Sequence, residues 1–225
     1  MKFRAPFLAG LALLASMAAA DPRPFADVLS FAKHQVELKP NDAATRFALA
    51  RVYSIGYVDA SKDLDVTINE SEGTLTFPDS LSVQVKHAEG RLSDVEKTYL
   101  KEAITNYNRA TRYDSGSALY ALGYASLFEQ LAWRYQEVLG SSSFGAFENE
   151  QDVWGKVAAE LRRASYIAKD KDLKHPGLTG PDAYVSRSAA QSLLRLGKAG
   201  KARLTAAESK RLQTQIDRVN KIAGG

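Results

Sequence analysis

The residues that could carry chemistry in this chain of 225 residues are few and widely spaced. Its three histidines, His34, His87 and His175, lie far apart, and none belongs to a zinc motif of the H-E-x-x-H type. The chain has no cysteine, which excludes disulfides, thiolate metal sites and cysteine nucleophiles. It also lacks the Gly-x-Ser-x-Gly elbow, the Walker loop and the dinucleotide-binding glycine loop. The sequence therefore predicts a protein that is not an enzyme, with no catalytic residue, no metal ligand and no cofactor.

Two groups of acidic residues are the remaining candidates for acid–base or metal chemistry. Glu148, Glu150 and Asp152 cluster near the start of a predicted helix, where the helix dipole favours negative charge. Glu70 and Glu72 lie at a predicted turn between two strands. Nothing else in the sequence supports metal binding by the first group or paired acid–base catalysis by the second, so we interpret both groups as structural.

Residues 1–20 have the composition of a secretory signal peptide. Two basic residues precede an apolar stretch that ends at about Leu14, and three alanines ending at Ala20 precede Asp21. The apolar run is shorter than the ~20 residues that a membrane-spanning helix needs, which favours cleavage over anchoring. The sequence therefore predicts export to the periplasm or beyond, cleavage near Ala20, and a single mature domain over 21–225.

Positive charge is concentrated at the end of the chain. The whole sequence has a formal net charge of +4, but the segment from Arg195 to Gly225 holds eight basic residues against two acidic ones. One interpretation is a solvated helix face; the other is weak contact with an anionic envelope surface such as phospholipid. Nucleic acid is not an expected partner of an exported chain. The candidate contacts to an anionic surface are Lys201, Arg203, Lys210 and Arg211.

The elements that must position these groups are predicted to be mostly helices, because apolar residues recur at helical spacing along most of the chain. The spacing predicts seven helices, which cover approximately residues 25–36, 43–53, 93–113, 118–138, 153–169, 183–196 and 206–222. Ser93 and Glu96 form a capping-box motif before the third helix, and Thr205 and Glu208 form another before the last. The chain is thus predicted to be mainly α.

A different pattern occupies the segment from about 60 to 90. Apolar and polar residues alternate there, as they do in half-buried strands, and Glu72-Gly73 predicts a turn. We expect a β insertion of two or three strands. The alternating apolar positions are Val66, Ile68, Leu75, Phe77, Leu81, Val83 and Val85.

Two helix junctions resemble the tetratricopeptide repeat (TPR) family. Leu38 and Pro40 end one helix, and Leu49, Ala50 and Tyr53 follow at the spacing that the family uses in its next helix. A second stretch matches the later helix of the repeat at Ala103, Tyr107 and Ala110.

The distance between repeats agrees with this resemblance. Ala43 and Ala118 are equivalent repeat starts, and they lie 75 residues apart. A repeat of about 34 residues leaves about 41 for the β segment and its flanks, which places the insertion between the two helices of one repeat.

The resemblance implies a short α-solenoid of stacked antiparallel helix pairs, acting as an exported scaffold or adaptor that binds a protein or peptide. Members of this family bind partners on the concave surface formed by the first helix of each pair. Phe47 stands where the family's clamp for C-terminal carboxylates has a lysine, so that clamp is not expected. An enzyme or small-ligand binder, with a site between the β insertion and the helices, is the alternative. The equivalent concave-face positions are Phe47, Arg51, Ser54, Leu122, Ser126, Glu129 and Gln130.

Overall fold

The structure is a computed structural model that describes residues 21–60, 62–77, 92–134, 149–174 and 181–223. Within these ranges the chain forms seven α-helices and three short β-strands, so the predicted mainly helical fold with a small β insertion is confirmed. The helices are α1 (Phe25–Leu38), α2 (Ala43–Asp59), α3 (Asp94–Tyr113), α4 (Ala118–Trp133), α5 (Glu150–Lys174), α6 (Pro181–Lys198) and α7 (Ala206–Ala223). The strands are β1 (Asp21–Arg23), β2 (Leu64–Asn69) and β3 (Thr74–Thr76).

Polar side chains fix where the helices begin. At α2 the Asp42 carboxylate accepts a hydrogen bond of 2.8 Å from the backbone N–H three residues on, and Ser117 accepts an equivalent bond at α4. Helices α2 and α4 therefore begin at Ala43 and Ala118, the two predicted repeat starts.

Helix α3 begins with the predicted capping box. The Ser93 backbone N–H donates to the Glu96 carboxylate at 2.7 Å, and the Glu96 N–H donates back to the Ser93 hydroxyl at 3.2 Å. Two backbone N–H groups at the start of the helix are thereby satisfied.

The helices pack as consecutive pairs. Helix α2 packs on α3, α4 on α5 and α6 on α7, while α1 packs on α2. The first helices also contact one another in series, because α4 touches both α2 and α6. Ala50 and Ala125 are fully buried where helices cross closely, at the positions that the TPR resemblance assigns to small residues. The packing order is the one that the resemblance implies, and membership of the family stays a prediction.

A glycine permits close contact between α4 and its neighbours α2 and α3. A Cβ atom at Gly123 of α4 would lie 2.7 Å from Cε2 of Phe47 and 2.9 Å from Cε1 of Tyr107. The ring of Phe47 stacks on Tyr120, with the centroids 4.6 Å apart, and meets Tyr107 edge-on. Helices α2, α3 and α4 therefore share one aromatic core.

The small sheet belongs to that core. Strand β2 is central, and β1 and β3 pair with it antiparallel, with Asp21 opposite Val66 and Thr67 opposite Thr76. The side chains of Leu64 and Val66 are buried against the helices. The sequence did not predict β1. The expected third strand of the insertion, around Val83, falls outside the described residues.

The hairpin tip rests on α1. The predicted turn is present, and Gly73 has φ of 64°, a left-handed conformation that favours glycine. A side chain at Gly73 would collide with the amide of Gln35, and Lys39 donates a hydrogen bond of 3.1 Å to the Glu72 carbonyl.

None of the helices within the described ranges has the length and apolar character needed to cross a membrane.

Candidate functional site

The predicted concave face is mostly interior. Four of its seven side chains are buried: Phe47, Ser54, Leu122 and Gln130. The sequence predicts a surface position for these four, but the structure buries them, because neighbouring helices and their aromatic side chains cover them. Arg51, Ser126 and Glu129 are the three members of the set that keep part of their surface exposed.

Arg51 lies beneath the β insertion. Its guanidinium carbon is 4.3 Å from the ring centroid of Phe77, the residue that follows β3. This distance is typical of a cation–π contact. The insertion therefore covers part of α2 on the side where the resemblance implies that a ligand binds.

Ser126 and Glu129 lie on α4 and have intramolecular partners. The Ser126 hydroxyl donates to the Leu122 carbonyl at 3.0 Å, within the same helix. Glu129 forms an ion pair with Arg195 of α6, with 2.6 Å between Oε1 and Nη2. This ion pair joins the first helices of two successive pairs, and half of the Arg195 side chain is exposed.

The four basic candidates of the C-terminal segment do not form one uniform patch. Lys201 pairs with Glu150 at 3.0 Å and lies over the ring of Trp154. Arg211 is partly buried. Arg203 and Lys210 are exposed. Only two of the four therefore point their charge outward in the way that contact with a flat anionic surface requires.

Arg211 belongs to a polar network between α5, α6 and α7. Its Nη1 donates to the Ser165 hydroxyl at 3.2 Å, and the guanidinium lies 4.3 Å from the ring centroid of Tyr166. Gln215 donates to the hydroxyl of Ser186 at 2.9 Å and accepts from Ser165 at 3.3 Å. An amide and a guanidinium cannot take a proton from Ser165, so this arrangement joins the helices and does not activate a nucleophile.

A groove of about 530 Å³ lies between α5 and the turn that connects α6 to α7. Cationic and small side chains dominate its lining. The residues that line it are Gln151, Gly155, Ala158, Arg162, Gly200, Lys201, Ala202 and Arg203.

Two ion pairs hold the cations of the groove in place. Arg162 donates from Nε to the Glu208 carboxylate at 2.9 Å and from Nη2 to the Arg203 carbonyl, which fixes the turn against α5. Hydrogen bonds from Trp154 Nε1, at 2.8 Å, and from Lys201 lower the pKa of Glu150. Glu150 and Glu208 thus balance two of the three cations of the lining, and Arg203 adds an exposed positive charge.

The sequence patterns do not predict this groove as a unit. Lys201 and Arg203 are predicted only as surface charges, and no role is predicted for Gln151, Gly155 or Arg162, which lie at least 39 residues before Lys201 in the chain. Gly155 was the one available signal, because a glycine inside a helix is unfavourable unless packing or function requires it.

The acidic groups have structural surroundings. Asn149 and Asp152 exchange hydrogen bonds at the start of α5, and Glu70 and Glu72 are exposed at the β2–β3 turn. Among the described residues, no group of three or more histidine, aspartate or glutamate side chains could hold a metal ion. His87, His175 and Glu148 fall outside the described residues.

Comparisons of the chain with models of protein families, with curated proteins and with solved structures give no match.

Proposed function

We propose that this chain is an exported, non-catalytic scaffold or adaptor that binds a protein or peptide partner along α2, α4 and α6. The observation that carries the proposal is the serial contact of these three first helices, in which α4 touches both α2 and α6. In stacks of helix pairs each pair contacts only its neighbours, which leaves an extended surface for a partner.

The accessible part of that surface lies on α4 and α6. Phe77 covers Arg51 on α2, whereas Ser126 and the Glu129–Arg195 ion pair remain partly exposed. Partly exposed charges of both signs contribute to the choice and orientation of a partner more than to raw affinity. The proposed partner therefore meets α4 and α6 first.

The proposal places the protein in the periplasm or outside the cell. Its support is the composition of residues 1–20, with early positive charge, an apolar stretch and small residues before Asp21.

The test is affinity capture from an envelope extract, with a matched pair of variants. Ser126→Arg puts a bulky cation on the proposed surface of α4, and Ala159→Arg puts the same group on an exposed position of α5. We expect the wild type and Ala159→Arg to retain the same partner and Ser126→Arg to lose it. Equal retention by both variants, or a wild type that retains nothing, contradicts the proposal.

A further inference from the structure

We propose that the groove between α5 and the α6–α7 turn binds a short acidic peptide segment of a protein partner. This inference rests on the proposed scaffold function and adds a second contact site with a defined ligand chemistry. The ligand's carboxylates would meet Arg203 and would compete with Glu150 and Glu208 for Lys201 and Arg162.

The charge of the lining supports an acidic ligand. Arg203 presents an exposed guanidinium, and Lys201 keeps about a third of its side chain exposed beside Glu150. Guanidinium groups bind carboxylates through two parallel hydrogen bonds, which gives geometric selectivity as well as attraction. Four of the eight lining residues, Gly200 to Arg203, belong to the basic segment that begins at Arg195, and that segment favours anions.

The shape of the lining supports a peptide. Gly155 lies in the interior of α5, and a Cβ atom there would meet nothing within 4 Å, so packing does not explain the glycine. Together with Ala158 and Ala202 it leaves the floor of the groove without large side chains. A floor of this kind lets a second main chain approach the backbone of α5 closely.

The size of the groove limits the ligand to a short segment. A volume of about 530 Å³ lies within the range of ~300–1,000 Å³ that is typical of pockets for small ligands. That space suits an extended stretch of a few residues and is too small for a helix.

The direct test measures binding of a synthetic peptide with alternating glutamates to the purified protein. The control peptide has glutamine at every glutamate. We expect the glutamate peptide to bind, the glutamine peptide not to bind, and added salt to weaken binding, because exposed charges are screened over ~8 Å at physiological ionic strength.

Matched variants locate the site. We expect Arg203→Gln to weaken binding by about fivefold, the upper end for an exposed charge pair, and Gly155→Leu to abolish binding by filling the floor. Lys210→Gln removes another exposed charge of the same segment outside the groove, and Ala159→Leu adds the same bulk at an exposed position of α5 that does not line the groove. Both controls should bind within about twofold of wild type, since substitutions away from a site usually have small effects.

Four results would overturn the inference. The first is no binding of the glutamate peptide at low salt. The second is equal loss in Arg203→Gln and Lys210→Gln, which means diffuse attraction. The third is weak peptide binding combined with stronger binding of phosphate groups, seen either as binding of anionic vesicles or as competition by inorganic phosphate, with the same losses in Arg203→Gln and Gly155→Leu. That result assigns the groove to phosphate groups such as those of a lipid surface. The fourth is partner capture that survives Gly155→Leu, which refutes this inference and leaves the scaffold proposal intact. Absence of any captured partner refutes the scaffold proposal, and binding of the glutamate peptide would then still support the groove as a site.

Discussion

Two glycines in helices have opposite surroundings. Gly123 of α4 faces the packed rings of Phe47 and Tyr107, whereas Gly155 of α5 forms part of the groove floor and faces open space. The same substitution should therefore have opposite effects on stability at the two positions.

We expect Gly123→Ala to destabilise the protein by about 1–3 kcal/mol, because an added methyl group overpacks the aromatic core. Gly155→Ala should stabilise it by about 0.5–1 kcal/mol, because alanine favours the helix and meets no neighbour. Urea unfolding followed by circular dichroism measures both values. A stabilising Gly123→Ala would mean that α4 lies farther from Phe47 than in the structure.

A buried arginine joins the ends of three helices. Arg134, with a side chain 2% exposed, donates to the Tyr57 carbonyl at 3.0 Å and to the Glu96 carboxylate at 3.2 Å. Burial raises the pKa of Glu96, but hydrogen bonds from Ser93 and Arg134 outweigh it, so the pKa lies below its ordinary value. The carboxylate therefore stabilises the fold when ionised, and this contribution is lost as the pH falls through the lowered pKa.

We expect Glu96→Gln to lower the free energy of unfolding by about 2 kcal/mol at pH 7, because it leaves Arg134 buried with a neutral partner. The loss is smaller than for a fully buried pair because Glu96 is partly exposed. The difference in unfolding free energy between wild type and variant should shrink below about pH 4, since the ordinary glutamate pKa is ~4.3. Chemical unfolding over a pH series measures this.

The matched control is Asp94→Asn, which removes a charge from the same helical turn at a side chain that is 98% exposed. It should cost less than Glu96→Gln and leave the pH profile nearly unchanged. A gap between wild type and Glu96→Gln that is constant with pH would assign the loss to the capping box and not to the charge.

At the scale of elements, the sequence predicts best what neighbouring residues decide. Helices α2, α3 and α4 begin where Asp42, Ser93 and Ser117 supply caps within three residues. Strand β1 was not predicted, because its three residues pair with Leu64–Val66, about 40 positions away in the chain, and show no alternation of apolar and polar residues of their own.

The candidate site is harder to predict for the same reason. Helical spacing identifies Phe47 and Leu122 as members of a face, but burial of that face depends on Tyr120 and the other residues packed over it. The groove combines one face of α5 with a turn that comes after α6 in the chain. Neither its depth nor its charge can be inferred from either segment alone.

The burial of β2 gives a test of whether the insertion is part of the core. We expect Leu64→Ala to cost about 2–4 kcal/mol, because Leu64 is buried against the helices. Thr67→Ala, at an exposed position of the same strand, should change stability by less than about 0.5 kcal/mol. Thermal and urea unfolding compare them. Equal, small effects would mean that the hairpin is peripheral and that the helices alone form the core.

At the scale of the whole molecule, the predicted cleavage site of the signal peptide lies directly before Asp21, where the described fold begins. This residue follows the predicted cleavage point and is also the first residue of β1, opposite Val66. We expect the intact mass of the exported protein to correspond to a chain that starts at or near Asp21, because Ala18 and Ala20 fit a signal-peptidase site. A stable membrane-bound product that retains residues 1–20 would contradict this.

The spacing of the helix pairs also has a consequence for how the chain folds. About 34 residues separate α2 from α3, whereas only about 7 separate α6 from α7. Closing the longer connection costs about 1.4 kcal/mol more in chain entropy by the logarithmic law. The α6–α7 hairpin therefore forms at a lower entropic barrier than the α2–α3 pair, and the pairing of α2 with α3 around the sheet should come later in folding. Substitutions in α7 should then slow refolding, while substitutions in β2 should mainly accelerate unfolding.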